Sequence, residues 1–74
     1  MVFSAVNYTS VKRVDLIRTI RKAAANAGVD FRELRQGGNH TVYAYGSRRV
    51  VIPRHREINE LTARAILRDL DLDI

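Results

Sequence analysis

Residues 40–53, HTVYAYGSRRVVIP, constrain this chain more than any other stretch. β-Branched and aromatic side chains fill both halves, the composition that suits a pleated, half-buried strand. Gly46-Ser47 joins them as a two-residue hairpin turn of the kind that places glycine first. Pro53 has no N–H to offer a ladder and ends the second strand. A lone hairpin is marginal in water, so the rest of the chain must cover one of its faces.

Two amphipathic stretches are available to do so. From Lys12, the residues Leu16, Ile17, Ile20, Ala23, Ala24 and Ala27 recur at spacings that line one helical face. Ser10 is the candidate cap, Asp15 suits the start of the helix dipole, and Gly28 supplies the stop. The second stretch runs from about 60 to 70, with Asn59 as its cap and Ala63, Ile66, Leu67 and Leu70 on one face. Asp69, Asp71 and Asp73 crowd its C-terminal end, where negative charge opposes the dipole, so the helix should stop near Leu70 and the chain should leave it there.

Between the first helix and the hairpin, VDFRELRQ reads as a further strand, although Phe31 and Leu34 do not alternate cleanly. Gly37 and Gly38 break it. RHREIN, after Pro53, reads as a polar connection. Residues 1–10 carry no charge and no period, and fit a tail or an extra strand equally. The expected fold is α+β, in the order α-β-β-β-α. A three-stranded antiparallel sheet has two helices on one face, and its other face is open to solvent or a partner. Seventy-four residues allow one domain with one thin core, burying roughly 60% of the unfolded surface. There is no cysteine to staple that core, which fits a reducing cytosol. No apolar run approaches a membrane span, and the first ten residues lack the basic and long apolar regions of a signal peptide.

Charge narrows the partners. The net charge is +5, and residues 12–56 hold eleven Lys/Arg against three Asp/Glu. Eleven of the thirteen basic residues are arginine, whose planar fork matches phosphate oxygens in pairs. A polyanion such as nucleic acid is favoured, although small basic domains without one are common. A metal site is disfavoured: there is no His-x-x-x-His pair and no thiolate. Ser4, Ser10 and Ser47 have no visible partner for nucleophilic chemistry. No cofactor is expected.

General acid–base chemistry remains. RNA carries its own nucleophile, the 2′-hydroxyl, beside the scissile phosphate. A protein need only move protons and hold the phosphate, and a histidine does the first for typically ~10²–10⁴-fold in rate. His40 is the candidate proton-transfer group, and Arg35, Arg48 and Arg49 are the phosphate candidates. His55 is a lesser candidate for a second acid or a phosphate contact. Against this, a lone histidine at a strand start is more often an ordinary surface residue. Strand alternation places residues 40, 42 and 44 on one face and 41, 43 and 45 on the other. If His40 faces solvent, Tyr43 and Tyr45 build the core instead of stacking bases.

Four elements in order resemble the HicA family, small toxins of bacterial toxin–antitoxin pairs. They are Asp15-Leu16-Ile17, Gly38-Asn39-His40 with Tyr43, Ile52-Pro53-Arg54-His55, and Thr62-Ala63-Arg64-Ala65-Ile66-Leu67. Each is weak alone; the set, spread over about residues 12–70, is specific. The resemblance implies a core over 11–70, flanked by an N-terminal extension (1–10) and an acidic tail (71–74), with a fold like the double-stranded-RNA-binding domain. It implies an mRNA-cleaving, cytoplasmic toxin whose essential histidine matches His40. It also implies a HicB-type antitoxin that binds the toxin, covers its active site and represses the shared operon. Gly37 and Gly38 would support the site. Asn39 stands where the family usually has serine, and any orienting of histidine or phosphate by that hydroxyl falls here to its amide. The other function classes are a non-catalytic RNA-binding module and an interaction protein using the open sheet face.

Overall fold

Leu16, Ile20 and Ala24 repeat every four residues, and all three are buried on one side of a helix, α1, spanning Arg13–Ala27. The computed structural model describes residues 10–72. Over that range the order is β1 (Ser10–Lys12), α1, β2 (Phe31–Gln36), β3 (His40–Tyr45), β4 (Arg48–Pro53), β5 (Glu57–Asn59) and α2 (Glu60–Asp69). The expected α-β-β-β-α order is present, with β2, β3 and β4 forming an antiparallel sheet in that spatial order.

Two strands were not expected. β1 and β5 pair antiparallel as a separate ribbon, Ser10 opposite Asn59 and Lys12 opposite Glu57. Each is three residues long, too short for a period of two to show. RHREIN is therefore more than a polar connection: its one apolar residue, Ile58, is buried in the core. Residues 1–9 and 73–74 lie outside the described range, so only Ser10 of the N-terminal segment is placed, and it is in a strand.

That strand corrects the start of α1. Ser10 does not cap it; its hydroxyl donates to Glu57 Oε1 at 2.8 Å across the ribbon. Lys12 occupies the cap position without a side-chain bond. The Arg13 N–H, one of the first-turn donors with no partner inside the helix, donates to the Arg56 carbonyl at 2.9 Å. α2 starts as expected, with the Asn59 side chain accepting from Leu61 N–H at 2.7 Å.

Both helices end in the same motif. At α1, Gly28 takes φ 73°, and Val29 N–H reaches back to the Ala24 carbonyl. At α2, Asp71 takes φ 61°, Leu72 N–H reaches the Leu67 carbonyl, and Asp71 N–H reaches that of Arg68. These are Schellman closures, one with glycine in the left-handed position and one with aspartate. The chain does leave α2 before residue 70, but Asp71 and Leu72 are no tail: Leu72 folds back against the core.

The helices share one core. Leu16, Ile20 and Ala24 of α1, with Ala63, Ile66 and Leu67 of α2, meet Tyr43, Tyr45, Val50 and Ile52 of the sheet. Cross-strand register explains this. Tyr43 sits opposite Val50 and Thr41 opposite Ile52, so all four point to the helical side. Phe31, opposite Tyr45, extends the aromatic layer by stacking on Tyr43 at 4.8 Å between centroids. The tyrosines are core residues, as alternation indicated. Gly46 turns the β3–β4 hairpin with φ 61°, and its N–H is anchored on the Asp30 carbonyl.

Candidate nucleic-acid interface

The register that buries the odd-numbered residues of β3 turns its even-numbered ones to the other face. His40, Val42 and Ala44 lie there, opposite Pro53, Val51 and Arg49 of β4. On the β2 side, Arg32 pairs with Ala44 and Arg35 with Val42. Between Glu33 and Arg35 the register shifts by one residue, leaving Leu34 as the extra residue of a bulge. The bulge accounts for the imperfect alternation of this strand. Without it, Arg35 would fall on the helical side with Glu33.

The open face therefore has three rows. His40 and Pro53 form the first. Arg35, Val42 and Val51 form the second, ~7 Å further along at ~3.4 Å per residue. Arg32, Ala44 and Arg49 form the third, ~14 Å from the first. Among the described strand residues this face carries no Asp or Glu. His40, Arg32, Arg35 and Arg49 are all exposed, and none makes a side-chain hydrogen bond or ion pair with another described residue.

The turn that presents His40 is held from both sides. Outside, the first residue after β4, Arg54, donates from its backbone N–H to the Asn39 carbonyl at 2.8 Å. Its guanidinium donates to the Gly37 carbonyl at 3.1 Å. Gly37 N–H in turn donates to the His40 carbonyl at 2.7 Å. Inside, Arg13 reaches from the first turn of α1 to the Pro53 carbonyl at 2.8 Å and to Thr41 Oγ1 at 3.3 Å. Among the described residues Thr41 is the one buried polar residue, at 1% exposure, and this bond satisfies it. The His40–Pro53 row is thus tied by two arginines, Arg13 from α1 and Arg54 just after β4.

Not every sequence candidate meets here. Arg35 and Arg49 share the face with His40. Arg48 does not: it pairs with Tyr45 at the far end of the hairpin, ~17 Å along the strand. Its guanidinium instead clamps the end of α2, donating to the Asp69 carbonyl at 2.6 Å and to Asp71 Oδ2 at 2.9 Å. Asn39 and His55 are exposed in the two bends at the His40 end, and His55 lies beyond the sheet, two residues past Pro53. Gly37 and Gly38 form the turn, but neither takes a positive φ. A Cβ on Gly38 would meet nothing within 4 Å, and one on Gly37 would touch the His40 carbonyl at 3.4 Å.

Three residues of this region escaped the sequence reading. Arg32 was hidden because the bulge obscured which face of β2 is which. Arg54 and Arg13 were missed because both bond backbone carbonyls, which leave no trace in residue type. Among the described residues no group of three or more His, Cys, Asp or Glu is placed to hold a metal ion.

Comparison with curated proteins and with solved structures returns no significant match. The family model described as HicA toxin of bacterial toxin-antitoxin matches residues 17–72, from the middle of α1 through the whole sheet to the closure after α2. That match spans most of the chain and every element of the open face, and the chain belongs to the HicA toxin family.

Proposed function

We propose that this toxin is an endoribonuclease that cleaves mRNA in the cytoplasm by histidine acid–base catalysis, and that its antitoxin is of the HicB type. The observation that carries the reading is the exposed His40 on an acid-free sheet face, one row from Arg35. In the proposed reaction His40 takes the proton of a ribose 2′-hydroxyl. The 2′-oxygen then bonds to the adjacent phosphorus, and the bond from phosphorus to the 5′-oxygen breaks. The departing 5′-oxygen takes a proton from solvent or from His55. The products are a 2′,3′-cyclic phosphate and a 5′-hydroxyl. Arg35 holds the phosphate and stabilises the charge that builds on its oxygens, a role worth several kcal/mol in comparable sites, about 3–4 for one donor. The nucleophile belongs to the substrate, so the reaction as written calls for no metal.

Purified protein should cleave RNA in EDTA, and His40→Ala should abolish cleavage while keeping its circular dichroism spectrum. Full cleavage by that variant would remove His40 from the reaction. A wild-type protein that binds RNA without cutting it would be the non-catalytic RNA-binding module instead. A HicB-type antitoxin is proposed to neutralise the toxin by covering the open face, so its co-expression should relieve growth arrest.

A further inference from the structure

We infer that the RNA lies as an extended single strand along the open face of the sheet, from His40 over Arg35 to the Arg32–Arg49 row. This rests on the reading of the chain as an RNA-acting toxin and adds to it the form of RNA recognised and the path it takes.

Three observations carry the inference. First, the cations of the open face are free to take phosphates and those of α1 are largely engaged. Arg32, Arg35 and Arg49 have no partner among the described residues. On α1, Arg18 is paired with Asp15 at 3.1 Å, and Arg21 lies over the Phe31 ring at 5.2 Å. A duplex reader that used a helix to reach across a groove would need those helical cations unspent.

Second, the spacing suits a single strand. The rows advance ~7 Å at a time, a step of the same order as the phosphate repeat of an extended strand. One phosphate at His40 is followed by one at Arg35 and one between Arg32 and Arg49. The arginines of the last row approach from the two outer strands and bracket the path.

Third, the floor between them is aliphatic. Val51 is 51% exposed, and its cross-strand partner Val42 is half-buried. Unstacked bases can pack there, whereas a duplex keeps its base faces stacked inside the helix. In-line attack by a 2′-hydroxyl also requires a linkage released from A-form geometry, which a single strand permits. The open face carries no Asn, Gln, Asp or Glu beyond the turn. With its three arginines committed to phosphates, the path leaves base edges unread, and phosphate contacts set the affinity.

The test uses the full-length His40→Ala protein, which keeps the substrate whole. Its binding to a labelled single-stranded oligoribonucleotide and to the same sequence as a duplex is measured across a salt series. Single-strand affinity should exceed duplex affinity at least tenfold. With residue 40 an alanine, the slope of log K against log salt should be about −1.4 for the two phosphates held by arginine, at about −0.7 each. Arg35→Gln, and Arg32→Gln together with Arg49→Gln, should each make it shallower by about 0.7, and Lys22→Gln on α1 should leave it unchanged. Equal or tighter duplex binding, no binding at all, or a slope that ignores the three arginines and responds to Lys22→Gln would overturn the path. The two readings fail separately. A wild-type chain that binds this way but never cuts overturns only the catalytic reading, and a triple Arg→Gln variant on the His40 background that still binds overturns only the path.

Discussion

At the scale of single residues, the most informative side chains are those that hold His40 without touching substrate. Arg13 is half-buried and makes two charge-assisted bonds, to Pro53 and Thr41, from the helical side. Its loss leaves the Thr41 hydroxyl buried and unpaired, so Arg13→Ala should lower stability by about 1.5–3 kcal/mol in a denaturant titration. Arg54 makes its bonds in solvent, where they contribute at most ~1 kcal/mol. Arg54→Ala should therefore unfold at nearly the wild-type midpoint yet cleave more slowly, because the turn before His40 loses its tie. A large drop in midpoint with unchanged cleavage would reverse this division of roles. The glycines separate similarly. Gly46→Ala forces a Cβ into φ 61° and should cost about 1 kcal/mol. Gly38→Ala meets open space at an unforced φ and should be close to neutral.

At the scale of elements, legibility followed pattern length. α1, α2 and the β3–β4 hairpin are long enough to show their period, and each lies where the sequence places it within a residue or two. The alternation of β3 was enough to put His40 and the tyrosines on opposite faces. β2 alternated poorly because of a real bulge at Leu34, which makes the irregularity a structural signal. Arg48 and Arg49 are neighbours in sequence and opposites in structure. Only the pairing register, fixed by the Gly46 turn, tells which one reaches the open face. β1 and β5 were invisible because three residues show no alternation. Ile58 nevertheless anchors that ribbon, so Ile58→Ala should cost about 2–5 kcal/mol despite its polar neighbours. The closure of α2 points the other way. Asp71 holds a left-handed conformation and a negative charge at a helix C-terminus, both unfavourable. Asp71→Gly gives up one exposed pair with Arg48. It should still raise the thermal midpoint, by a gain on the order of 1 kcal/mol.

At the scale of the whole molecule, the two faces of the sheet divide the work. One is buried under both helices and accounts for the core. The other is left open and, among the described strand residues, is lined by arginines without acidic neighbours. On the proposed reading RNA and the antitoxin use this surface in turn, so the two should compete for it. The central claim is that His40 performs chemistry on RNA held there. Its most direct test is product analysis after incubating RNA with the wild-type protein and with His40→Ala in EDTA. The account predicts fragments ending in 2′,3′-cyclic phosphate from the wild type and intact RNA from a folded His40→Ala. Fragments with 5′-phosphate ends, or equal cleavage by both proteins, would contradict it.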